Sequence, residues 1–170
     1  MNAMSVTGEQ LAGALHVLAV DFILDGTTDS QRLQDHPEWL ITALAESPEA
    51  RLRLSLIPLF LEHPEFSRYA RKAAQGSNEA GRVTLHCYYT AAVLLQRMHG
   101  SRLEGLIGLR QVLPDVFSKP LGLRLTSDVE GGLSALAGQH QRLSGLKVNW
   151  LGTYQHAFQV WVRGLEIRKS

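Results

Sequence analysis

A single cysteine in 170 residues, Cys87, excludes an internal disulfide and any site built on paired thiolates. Long apolar runs are also missing. The longest, LAGALHVLAVDFIL at 11–24, carries His16 and Asp21 and falls short of the roughly 20 apolar residues that a membrane span needs. It reads as a buried helix, and no membrane partner is expected. The chain has no HExxH pair, no GxSxG elbow and no glycine-rich loop following a strand; Gly131 and Gly132 fall at a helix start. These absences remove the common zinc-peptidase, hydrolase and dinucleotide-binding signatures, so neither a cofactor nor a metal is expected. Nor does a basic start lead into an apolar stretch and a small-residue cleavage site, which together with the lone thiol makes the cytoplasm the expected setting.

What is present is an ordinary globular composition. With 45% hydrophobic and 19% charged residues the chain has enough apolar material for a core and too little net charge to stay unfolded. One helical domain over 5–168 is expected, and MNAM at 1–4, read as an expression remnant or a disordered end, is given no structural weight. The net charge of +1 hides an uneven distribution. Residues 1–50 carry one basic residue, Arg32, against eight acidic ones; residues 51–110 carry nine against four, and residues 111–170 seven against four. An acidic N-terminal layer folded against a basic remainder would largely cancel the field. The alternative is a basic surface for nucleic acid or an acidic partner, or head-to-tail self-association.

Helical periodicity runs almost throughout and no segment alternates with period two, so the fold class is all-α, a bundle of about seven helices. TGEQ at 7–10 is a capping box that starts a helix ending near Leu24, and DGTTDS at 25–30 breaks it. Further helices are predicted at 37–46, 49–62, 64–74, 78–99, 101–112, 128–144 and 149–167. SDVE at 127–130, with Ser127 as cap, opens the sixth of these. Between 113 and 127, Pro114, Pro120 and Gly122 mark the one long loop, with room for a helical turn.

Two copies of one pattern, HPEW at 36–39 and HPEF at 63–66, read as helix starts. Proline suits the first helical position because its missing N–H would have no partner there, and glutamate in the first turn complements the helix dipole. SPEA at 47–50 follows the same grammar, with Ser47 as cap. The competing possibility is that His36, Glu38, His63 and Glu65 converge on a metal. The patterns lie 27 residues apart with no third copy, so they are not a solenoid repeat.

Within 49–62, Arg51, Ser55, Pro58 and Glu62 share one stripe and leucine, isoleucine and phenylalanine fill the rest, which predicts a buried central helix kinked by Pro58 near Leu54. Arg53 falls on the apolar side and needs either a partner, for which Asp21 is a candidate, or a route outward. The last helix stacks Trp150, Tyr154, Phe158, Trp161 and Leu165 at core spacing, the alternative being a groove or helix face that receives a partner.

The candidate working surface lies on the helix GRVTLHCYYTAAVLLQRMH. Arg82, His86, Thr90 and Arg97 fall within about 80° of one another, Tyr89 borders them, and Cys87, Ala91, Leu94, Leu95 and Met98 take the other side. Two arginines, a histidine and a tyrosine on one stripe suit phosphate binding, or a histidine base beside anion-binding groups. The same pattern also arises on a solvated helix face. The three-residue gap between Arg82 and His86 is too short for the Arg–His motif of the HEPN ribonucleases, another compact helical family, and no family resemblance is claimed. The function expected from these features is that of a non-enzymatic interaction protein, a subunit or adaptor bound to a protein partner or to itself. The alternative is a helical enzyme or nucleic-acid-acting factor using Arg82, His86, Tyr89 and Arg97.

Overall fold

The computed structural model describes residues 35–108 and 111–169, and within them every regular element is helical. The helices are α1 (Pro37–Glu46), α2 (Ala50–Leu54), α3 (Leu56–Glu62), α4 (Ser67–Gly76), α5 (Glu79–Met98), α6 (Gly100–Ile107), α7 (Val129–Ser144) and α8 (Trp150–Lys169). A short 3-10 turn, Pro64–Phe66, leads into α4. The helix read at 7–24, the break at 25–30 and the possible Asp21 partner lie outside the described residues.

Alpha5 is the hub. It packs against α1, α3, α4 and α7, while α8 closes the other side against α3, α6 and α7. From Cys87 through Leu95 it is buried on every face, so nine consecutive residues lie inside the protein. The aromatic stripe of α8 is core: Tyr154, Phe158, Trp161 and Leu165 are buried and Trp150 packs beside them. No helix among the described residues is long and apolar enough to cross a membrane.

Local chemistry explains most element boundaries. The segment predicted as one kinked helix at 49–62 is α2 and α3, interrupted at Ser55 (φ −64°, ψ −11°). Pro58 has no N–H to return to the Leu54 carbonyl, and the chain turns at that gap. The Ser55 hydroxyl donates to the Leu52 carbonyl at 2.5 Å, using one of the acceptors that the interruption frees. Arg53 finds its partner nearby, its Nη1 donating to the Ser47 carbonyl at 2.8 Å.

Three expectations need correction. Asp128, not Ser127, caps α7, its carboxylate accepting from Gly131 N at 3.0 Å. Carboxylate and hydroxyl compete for the same free N–H groups, and the helix starts one residue later than read. Ser47 closes α1 rather than opening α2, and its hydroxyl accepts from Glu49 N at 3.1 Å in a local turn. The helix read at 101–112 stops at Ile107 because Gly108 takes φ 79°, ψ −178°, a conformation that glycine alone adopts without strain.

Both HPE patterns are self-contained helix starts. The His36 ring stacks on Trp39 at 3.8 Å and its Nδ1 lies 4.0 Å from Glu38; the His63 ring stacks on Phe66 at 5.4 Å and meets Glu65 at 3.2 Å. Each histidine thus finds its glutamate and its aromatic ring within its own motif. Among the described residues, no group of three or more His, Cys, Asp and Glu side chains is placed to hold a metal ion.

Candidate functional site

The N-terminal end of α5 opens onto a groove of about 500 Å³, walled by α4 on one side and by the loop 111–128 on the other. Arg82 and His86 come from α5, Arg71 from α4, and Phe117 and Lys119 from the loop. Three cations from three elements face one space, and among the described residues no carboxylate lines it.

Each side chain has a local reason for its place. Asn78 caps α5 by accepting from Gly81 N at 2.7 Å, while its own N–H donates to Glu46 at 2.7 Å, which ties the end of α1 to the start of α5. One turn further on, Arg82 reaches back to the end of α4. Its Nε donates to the Ala74 carbonyl and its Nη2 to the Ser77 carbonyl, both at 3.3 Å. The Ala74 carbonyl also accepts from Ser77 N as the helix closes, and together the two carbonyls fix the guanidinium in the groove wall while leaving its Nη1 outside both bonds. His86 follows one turn later, half-buried and stacked on Phe117 with ring centroids 4.2 Å apart and planes 21° apart. Burial, and then the positive charge of Arg82, push its pKa down to about 4. At neutral pH it is an uncharged aromatic ring.

The loop is clamped to α5. Tyr89 donates from its hydroxyl to the Pro114 carbonyl at 2.7 Å; Gln96 accepts from Leu113 N at 2.7 Å and donates to the Gln111 carbonyl at 3.0 Å. Leu113, Phe117 and Leu121 then bury their side chains, and a helical turn closes as Leu121 N donates to the Phe117 carbonyl at 3.1 Å. Asp115 is committed within this turn, accepting from both the N–H and the hydroxyl of Ser118. An aromatic ladder runs from core to groove: Phe60 meets Tyr89 edge-on at 4.8 Å, Tyr89 meets Phe117 edge-on at 5.3 Å, and Phe117 carries His86.

The four residues singled out from the sequence do not all meet. Arg82 and His86 share the groove. Tyr89 is buried beneath it, burial holding its phenol above the ordinary range, and it positions the loop wall rather than facing solvent. Thr90 is likewise buried, its hydroxyl donating to the His86 carbonyl at 2.7 Å. Arg97 is exposed at the far end of α5, eleven residues from His86 and so about 16 Å along the axis. Arg71, Phe117 and Lys119, which sequence reasoning did not select, complete the groove; the only local hint was a lysine beside Pro120 in the long loop.

A second cluster of chemistry-bearing side chains is buried between α5, α7 and α8. His140 Nδ1 and the Tyr154 hydroxyl are 2.7 Å apart, and the imidazole stacks on Trp150 at 3.6 Å and meets Tyr88 edge-on at 5.5 Å. Burial pushes His140 down to about 4 and holds Tyr154 far above the ordinary phenol range. His140 is 2% exposed, so this cluster is a polar joint in the core. Cys87 is fully buried, and its thiol is pushed up to about 12.

The chain matches no known protein family, no curated protein and no solved structure.

Proposed function

We propose that the protein works by binding, as a helical interaction protein whose macromolecular partner sets an anionic group into the groove between α4, α5 and the loop 111–128. One observation carries this reading: Arg71, Arg82 and Lys119, from three separate elements, line a single groove to which no described residue contributes a carboxylate. Positive charge gathered in a concave wall focuses its field and recruits anions, and arginine forks are matched to carboxylate and phosphate oxygens. The side chains best suited to chemistry are poorly disposed for it. A histidine held near 4 is a weak base at neutral pH, the Tyr89 hydroxyl is used on Pro114, and a buried thiol near 12 is not a nucleophile. The partner expected is a protein or a second copy of the chain, with nucleic acid as the alternative, in a cytoplasmic setting that suits a lone reduced thiol.

The test is recovery of the tagged chain from lysate of its source cells at low salt, alongside the Arg71→Ala/Lys119→Ala double variant. Both residues are exposed, so the variant is expected to fold. Loss of the stoichiometric companion from the variant, and from wild type as salt rises, supports the reading. A companion retained equally by both proteins overturns it.

A further inference from the structure

We propose that the groove binds a nucleotide, with phosphate held by Arg71, Arg82 and Lys119 and the base set against the His86 imidazole. This rests on the reading of the groove as an anion site and, of the occupants named there, takes the nucleic-acid alternative, with the nucleotide as the anion.

Charge comes first. A carboxylate asks for one guanidinium, whereas three cations with no carboxylate among the described lining residues match the multiple oxygens and higher charge of a phosphate. Arg82 is already oriented by the Ala74 and Ser77 carbonyls, so little of its freedom is lost when it takes a ligand oxygen. Size comes second. A bare phosphate fills a small part of about 500 Å³, a volume within the range of sites for small organic molecules. Apart from Gln75, the remaining described wall is apolar and aromatic: Ala74, Val116, Pro120 and the His86 ring backed by Phe117 at 4.2 Å. Such a wall is wasted on an inorganic anion and suits a planar base, because bases stack on aromatic faces without regard to sequence.

A nucleotide arrives either free or as one unit of a single strand. Arg68 and Lys72, exposed on α4 next to Arg71, would extend the positive track for a strand and would be idle for a free mononucleotide.

The experiment uses the full chain and titrates the four ribonucleoside monophosphates, inorganic phosphate, an acidic peptide, and a short mixed-sequence single-stranded RNA, all at one fixed low salt. The expected result is that at least one monophosphate binds about ten-fold or more tightly than inorganic phosphate. Lys119→Ala should weaken both, and His86→Ala should weaken the nucleotide alone. Lys119 is exposed, so its variant keeps the test informative if His86→Ala unfolds. RNA binding much tighter than any monophosphate, and weakened by Arg68→Ala/Lys72→Ala, identifies the strand as the source; equal binding identifies the free nucleotide. Phosphate or acidic peptide bound as well as every nucleotide overturns the inference and leaves the anion site standing. No binding by any of these probes overturns both.

Discussion

Acid should loosen this protein, and one buried ring carries a separable share of the effect. His140 sits between α7 and α8 at 2% exposure, stacked on Trp150 and bonded to Tyr154, with its pKa pushed by burial from 6.5 to about 4. The unfolded chain takes up a proton on this residue as pH falls through 6.5, whereas the folded chain resists until about 4. In that window the unfolded state binds more protons, so stability is complete above 6.5 and declines as pH drops toward 4. From the two pKa values the loss is about 2 kcal/mol at about pH 5 and about 3 kcal/mol at about pH 4. Against a total of roughly 5–15 kcal/mol for a domain, this is large enough to measure. Urea unfolding followed by tryptophan fluorescence, at neutral pH and at about pH 5, gives the slope. The control is His140→Phe, which keeps the stacking on Trp150 but leaves the Tyr154 hydroxyl without its ring nitrogen. That variant should lose about 1–3 kcal/mol at neutral pH and should then lose about 2 kcal/mol less than wild type on acidification. His86 titrates in the same window in both proteins, so the difference in slopes isolates His140. Equal slopes would refute the reasoning.

The remaining expectations follow from burial and capping. Trp161→Ala removes a fully buried indole from the face of α8 that meets the core, and should cost about 3–5 kcal/mol by thermal or urea unfolding; a cost under about 1 kcal/mol would show that the stripe is not core. Asp128→Ala should cost about 1 kcal/mol and Ser127→Ala under about 0.5 kcal/mol, and the reverse order would return the cap of α7 to Ser127. Cys87 should resist a thiol reagent at mildly alkaline pH in the folded protein and react stoichiometrically in denaturing urea, since burial holds its thiol near 12; rapid reaction in the native state would contradict that placement.

Much of the helical frame was legible because its signals are local. Proline and glutamate at 37–38 mark the start of α1, and Pro58 marks the gap before α3, because a missing N–H acts on the residues nearest to it. The misplaced ends have local chemistry too, but of a competitive kind. Ser127 and Asp128 are both good caps one residue apart, and Ser47 could serve either the end of α1 or the start of α2. In α6 the apolar spacing continues beyond Ile107, and only the dihedrals of Gly108 show that the backbone has left the helix.

The groove was half legible for a different reason. Arg82 and His86 are one turn apart, so helical geometry alone puts them together. Lys119 lies 33 residues beyond His86, and what brings it to the groove is the clamp of Tyr89 and Gln96 on the loop. That clamp also explains why the sequence-level stripe fails in the middle of α5. A helical wheel sorts residues by angle, but the loop covers part of the polar arc and turns Tyr89 into an interior residue while leaving Arg82 and Arg97 outside. The loop can cover α5 only because Tyr89 and Gln96 answer its backbone groups, since a loop packed on a helix carries N–H and C=O groups that need partners. The polar residues that looked like one working face therefore serve two purposes. Some hold the wall in place, and those at the open end of the same helix are left to meet a ligand.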